Sequence, residues 1–193
     1  SSYRSNPMKL AQFTLSRRDP DYVPRAKAAA ALEALRAAGH AGEADTLSAA
    51  LRALGLTAED TQRLHIGSVL FANKPGDGSA RAQAASCPKV LGGDGNICYE
   101  YATKRYRSNC IMWGIVPFTI ARETPFDYVP GDMVFVPGIR KAMEEGKEEI
   151  DAQVITKDGV KPIHLYFNNL GKTEREVLLA GCLMNYYAKA NKK

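Results

Sequence analysis

The sequence predicts an α/β domain with a helical hairpin inserted near its start. Three observations carry that expectation. From residue 64 onward, apolar runs of strand length alternate with helix-length segments, the pattern of a sheet covered by helices. Residues 25–54 are instead alanine-rich, with Leu32, Leu35, Leu47, Leu51 and Leu54 at helical spacing. Near the end, Lys157-Asp158-Gly159 joins two strand-like runs as a hairpin turn would.

Taken in order, residues 1–23 read as irregular, interrupted by Pro7 and Pro20. Helices are expected over 28–38 and 41–54, separated by Gly39-His40, with His40 at a helix end rather than in catalysis. Thr57 reads as the N-cap of a further helical start, so the insertion covers about 25–63 of one domain spanning 1–193. Next come a strand over 64–72, a glycine turn, and a helix over 79–90. Gly92-Gly93-Asp94-Gly95 reads as a tight turn before a short strand at 96–101. A helix over 103–113 ends at Gly114 and leads into a strand at 115–118. A strand over 133–136, a short helix over 138–145, and hairpin strands over 149–156 and 160–167 follow. Thr173 caps a last amphipathic helix running to residue 187.

Composition narrows the function. The chain has 193 residues, enough for one full core, and its 45% hydrophobic and 24% charged content is that of an ordinary globular protein. No apolar run reaches membrane-spanning length, so no membrane role is expected. The first residues lack an initiator Met and a signal-peptide pattern, so a piece of a longer polypeptide is expected. The net charge of +5 is spread along the chain, which suits a small anionic substrate and argues against nucleic acid. Lys104-Arg105-Tyr106-Arg107 is the densest basic patch and reads as a solvated helix face. Cys87, Cys98, Cys110 and Cys182 form no metal-binding spacing, and reduced thiols in a cytoplasmic protein are the expectation.

The most informative stretch is Gly76-Asp77-Gly78-Ser79-Ala80-Arg81-Ala82-Gln83, between a strand and a helix. Free N–H groups and the dipole make a helix start a place to hold an anion. A hydroxyl, Ser79, and a guanidinium, Arg81, stand at that spot. The same pattern suits a plain helix cap at Ser79 with Arg81 on the surface. The chemical alternative has the helix start and Arg81 stabilising the Ser79 alkoxide as a base, with Arg81 gripping a carboxylate. His65 and His164 stand where histidines are more often structural.

Gly78-Ser79-Ala80-Arg81 resembles the Gly-Ser-Ser-Arg-Glu-His loop of the aconitase and isopropylmalate isomerase superfamily. Residues 107–118, beginning Arg107-Ser108-Asn109, resemble that family's Arg-Ser-Asn segment and the Gly-Ile-Leu-Pro stretch after it. Residues 173–187 resemble the end of single-chain bacterial aconitase-like hydratases, and Tyr3-Arg4-Ser5-Asn6 a second Arg-Ser-Asn segment. The resemblance implies a C-terminal swivelling β/β/α domain of a hydro-lyase that dehydrates a hydroxy di- or tricarboxylate reversibly. It implies Ser79 as the base that takes a proton from carbon, Arg4 and Arg81 as carboxylate-binding residues, and the Ala80 backbone N–H as a further contact. It also implies partner domains, N-terminal in the same enzyme, that hold a 4Fe-4S iron–sulfur cluster with no ligand from this chain. Ala80 stands where the family has a second serine, and Ala82-Gln83 where it has Glu-His. Two other readings go with these features: the separate small subunit of an isopropylmalate or homoaconitate type isomerase, and a catalytically impaired paralogue kept for binding.

Overall fold

The chain opens on a helix where an irregular segment was expected. In the computed structural model, which describes residue 3 and residues 5–191, Asn6 accepts the Lys9 N–H at 3.0 Å. Pro7 takes the first helical position, so it starts helix α1 (Pro7–Ser16) rather than breaking it. Helix α2 (Tyr22–Ala37) begins earlier than its alanine run, and α3 (Asp45–Leu54) begins later, after a 3-10 turn at Ala41–Glu43. Between them Gly39 adopts a φ of +80° and the His40 N–H closes on Leu35 O, the helix-end role expected of this pair. Thr57 is not a cap. Asp60 reaches back to accept the Thr57 N–H at 2.8 Å, ahead of a second 3-10 turn at Glu59–Arg63.

From there the chain alternates as expected, and the α/β class holds. Strand β1 (Ser68–Ala72) leads through the glycine loop to α4 (Arg81–Val90), then β2 (Gly93–Cys98), α5 (Lys104–Met112) and β3 (Val116–Thr119). Strand β4 (Met133–Phe135), helix α6 (Ile139–Glu144) and the hairpin of β5 (Glu149–Thr156) and β6 (Gly159–Tyr166) follow. Helices α7 (Lys172–Ala180) and α8 (Leu183–Ala190) end the described chain. The six strands form one mixed sheet in the order β1-β2-β3-β6-β5-β4, parallel through β1, β2 and β3 and antiparallel beyond.

Two expectations fail for steric reasons. The 92–95 stretch is not a separate turn, because Gly93 already pairs with Ser68 in the sheet. A Cβ at Gly93 would sit 2.9 Å from Pro88 O, so glycine lets the end of α4 lie against the strand. The last helix is also two helices. Gly181, at a φ of +96°, breaks it where the backbone presses on Gly114; a Cβ there would lie 1.7 Å from Gly181 O. Nor does Thr173 cap α7: the cap is Gly171, whose N–H donates to the Glu174 carboxylate at 2.9 Å.

The main core lies under the hairpin and β3, with Phe118, Val154, Leu165, Phe167 and Val177 buried together. A smaller cluster joins the early helices to α4 through Ala11, Ala26, Cys87 and Leu91. A polar joint adds to it. The Glu33 carboxylate accepts from Arg36 at 2.7 Å, from the Ile66 N–H at 2.9 Å, and meets His65 at 3.0 Å. His65 also reaches Asp94 at 2.8 Å, so this histidine ties the helical segment to the start of β2. Helical structure thus begins at residue 7, ahead of the expected insertion, and α1 and α2 pack on this chain's own α4. Among the described residues no helix is long and apolar enough to cross a membrane.

Candidate functional site

The site stands where the parallel strands end. β1 and β2 run parallel, and α4 and α5 each start just beyond one of them. The two helices pack on each other through Ala85, Tyr106 and Cys110, so both starts open on the same edge of the sheet. Open α/β sheets bind ligands at the carboxyl ends of their strands, where helix N-termini gather.

The glycine loop is pinned to the start of α5. Thr103 caps α5 by accepting the Tyr106 N–H at 3.2 Å, and the same hydroxyl donates to Gly76 O at 2.9 Å. Gly76 has a φ of +97°, and a Cβ there would fall 2.4 Å from the Tyr106 Cβ, so only glycine fits. Gly78 needs neither: its φ is not positive and a Cβ would meet open space.

Ser79 is not the helix cap. The cap of α4 is Ala80, which has no side chain to offer, and the first intrahelical bond runs from Ala84 N–H to Ala80 O. The N–H groups of residues 81–83 are thus left without helical partners. Among the described residues the exposed Ser79 hydroxyl has no hydrogen-bond partner either, so it is free for other work.

Ser79 and Arg81 line one open cavity of about 430 Å³ with Ala82, Lys104, Arg105, Ser108 and Asn109. The expected pair is thereby brought together, with Ala80 between them at the rim. Arg4 lies outside the described residues. Lys104 and Arg105 are exposed, as expected of a solvated face, and they also line this open cavity. No acidic residue lines it, and among the described residues Arg81, Lys104 and Arg105 pair with no carboxylate. The next basic residue, Arg107, turns away: it donates to Glu174 at 3.0 Å and to Asn168 O at 2.8 Å. Burial raises the Glu174 pKa, but the bonds from Arg107 and the Gly171 N–H outweigh it and keep the carboxyl below its ordinary value. No sequence signal marks this division, since Lys104, Arg105 and Arg107 all lie in the first turn after the Thr103 cap.

Behind the cavity lies a buried polar cluster. Asn96 donates to the Tyr106 hydroxyl at 2.7 Å, next to Cys110 and Tyr101. Burial pushes the Cys98 and Cys110 thiols up to about 11, so both stay protonated near neutral pH.

No protein-family profile matches the chain. Three curated proteins resemble it in sequence. A putative mitochondrial aconitate hydratase of Aspergillus fumigatus is 32% identical over 116 residues, which is 59% of this chain and 14% of that protein. Its counterpart in Emericella nidulans is 29% identical over the same shares. A mitochondrial homocitrate dehydratase of Saccharomyces cerevisiae is 28% identical over 124 residues, 62% of this chain and 16% of that protein. The chain thus resembles enzymes of the aconitase superfamily over about three fifths of its length. It spans about 14% of the length of the first of these relatives. Among solved structures, a 3-isopropylmalate dehydratase from Methanocaldococcus jannaschii aligns with a TM-score of 0.49 and 25% identity, over 72% of this chain and 74% of that one.

The superfamily implies an iron–sulfur cluster, and the cysteines of this chain do not fit one. Cluster ligands are thiolates. Cys87, Cys98 and Cys110 are buried on three different elements, with their pKa values raised by burial. No group of three candidate ligands converges among the described residues.

Proposed function

We propose that this chain is the C-terminal swivelling domain of a longer aconitase-superfamily hydro-lyase. It supplies the base and part of the carboxylate grip for reversible dehydration of a hydroxy di- or tricarboxylate. The observation that carries this reading is the cavity that unites Ser79 and Arg81 with Ser108 and Asn109, the two resembling segments of the sequence.

Dehydration removes a proton from carbon and a hydroxide from its neighbour. Ser79 takes the proton. A free serine is a poor base, so its alkoxide needs stabilising, and the three open N–H groups of α4 with the Arg81 guanidinium supply that positive field. Arg81, at the first position of α4, grips a substrate carboxylate by paired N–H bonds, which fixes the C–H bond against Ser79. The Ala80 N–H serves the same anion from the backbone, and Arg4 supplies a second clamp. Departure of the hydroxide is the task of other domains of the longer enzyme, which carry the cluster.

The test is Ser79→Ala in the full-length enzyme. Turnover should fall by about 10²–10⁴-fold, the typical contribution of a positioned base, with unchanged circular dichroism. Near-normal turnover would remove Ser79 from the mechanism.

A further inference from the structure

We propose that Lys104 and Arg105 form a second carboxylate-binding locus in the Ser79 cavity. A substrate with at least two carboxylates is then held across the starts of α4 and α5. This deepens the proposed function and rests on its reading of the cavity as the substrate site.

The placement of the charges carries it. Lys104 and Arg105 occupy the first two positions of α5, and Arg81 the first of α4; neither first turn holds an acid. The macrodipole favours anions at these ends, so the cations oppose the stability of their own helices. The first turns of α1, α2 and α6 also hold cations and no acid, namely Lys9, Arg25, and Arg140 with Lys141; what sets Arg81, Lys104 and Arg105 apart is that all three line the one cavity.

The basic run is also divided in two. Arg107 is satisfied by Glu174 and Asn168 O on the α7 side. Lys104 and Arg105 face the cavity with no carboxylate partner among the described residues. Helical spacing sets Lys104 beside Ser108 and Arg105 beside Asn109, which adds neutral donors to each cation. Ser79 and Arg81 at the start of α4 and the basic start of α5 thus border one open space of about 430 Å³, enough for a six-carbon polycarboxylate.

The test is calorimetric binding of tricarballylate, a tricarboxylate with no hydroxyl to lose, to the full-length protein. Lys104→Ala and Arg105→Ala should each weaken binding about tenfold, as expected for loss of one charge-assisted contact, and the double variant about a hundredfold. The salt dependence should flatten in step, and Arg105→Lys should recover part of the loss. Ser79→Ala should bind tricarballylate within about twofold of the parent, because removing a neutral hydroxyl leaves the ion pairs intact. Unchanged affinity in the double variant overturns the locus, as does the absence of saturable binding to the parent. The two readings fail separately. Full turnover in Ser79→Ala with lost binding in the double variant removes the base and keeps the locus; the opposite pattern removes the locus and keeps the base.

Discussion

Gly76→Ala should uncouple the Ser79 loop from α5. The new methyl would sit 2.4 Å from the Tyr106 Cβ and 2.5 Å from its Cγ, on a backbone at a φ of +97°. Carbon atoms rest at about 3.5–4.0 Å, so the loop or the helix must move by more than about 1 Å. Tyr106 resists, because it is buried and its hydroxyl holds Asn96 at 2.7 Å. The loop therefore moves, and the bond from Thr103 to Gly76 O breaks with it. A left-handed residue with a side chain costs about 1–2 kcal/mol, and overpacking of this kind about 1–3 kcal/mol. The expected destabilisation is about 2–4 kcal/mol, allowing for relaxation. Gly78→Ala is the internal control, since its methyl meets open space and should stay within about 0.5 kcal/mol. Urea denaturation followed by Trp113 fluorescence measures both. Turnover in the full-length enzyme should fall about a hundredfold for Gly76→Ala, the effect of misplacing a reacting group by about 1 Å. Equal stability of the two variants would refute the steric reasoning.

Two further outcomes are expected. Glu33→Gln tests the joint between the helical segment and the sheet: the Arg36 hydrogen bond, opposed by burial and helped by the Ile66 N–H and His65, lowers the Glu33 carboxyl from 4.5 to about 2. A depressed carboxyl contributes stability above its unfolded value and loses it as pH falls through the folded one. The parent should therefore exceed Glu33→Gln by about 1–2 kcal/mol, discounted for partial solvent screening, from pH 7 down to about 5, with the gap closing toward pH 2 in urea melts. A gap that widens on acidification would reverse the assignment. With Ellman's reagent at neutral pH, the half-exposed Cys182 should react readily, while Cys98 and Cys110, buried and with raised pKa values, should react only after unfolding.

Much of this was legible because local chemistry decides it. The strand, loop and helix around Ser79 follow from an apolar run, glycines and an alanine-rich segment, and the hairpin from Asp158-Gly159. The first helix was missed because Pro7 reads as a breaker until Asn6 is seen to cap it. The break at Gly181 was missed for a different reason. It depends on Gly114, far away in sequence, whose closeness to the Gly181 carbonyl no periodicity reveals. Lys104 and Arg105 form the exposed face that was expected, but helical pattern alone does not say that this face borders a cavity. The contact of α4 with α5 decides it, and that contact is set by the order of the parallel strands.

The departures from the family loop acquire a physical meaning in this setting. The resembling loop carries Glu-His where this chain has Ala82-Gln83, and Ala82 lines the cavity beside Arg81, Lys104 and Arg105. A carboxylate at position 82 would stand among those three cations and neutralise one of them. Its absence leaves the cavity with cations and no acid, so its attraction for a polyanion is greater than the loop alone would give. The missing second serine is compensated in part by position. Ala80 still presents its backbone at the start of α4, and an alanine cap leaves the neighbouring N–H groups open, where a serine hydroxyl could close one of them. The substitutions thus exchange side-chain hydrogen bonds for open helix-start donors and uncompensated charge. That exchange predicts a site more dependent on ionic contacts than the family loop would be, and steep loss of substrate affinity with added salt is its signature.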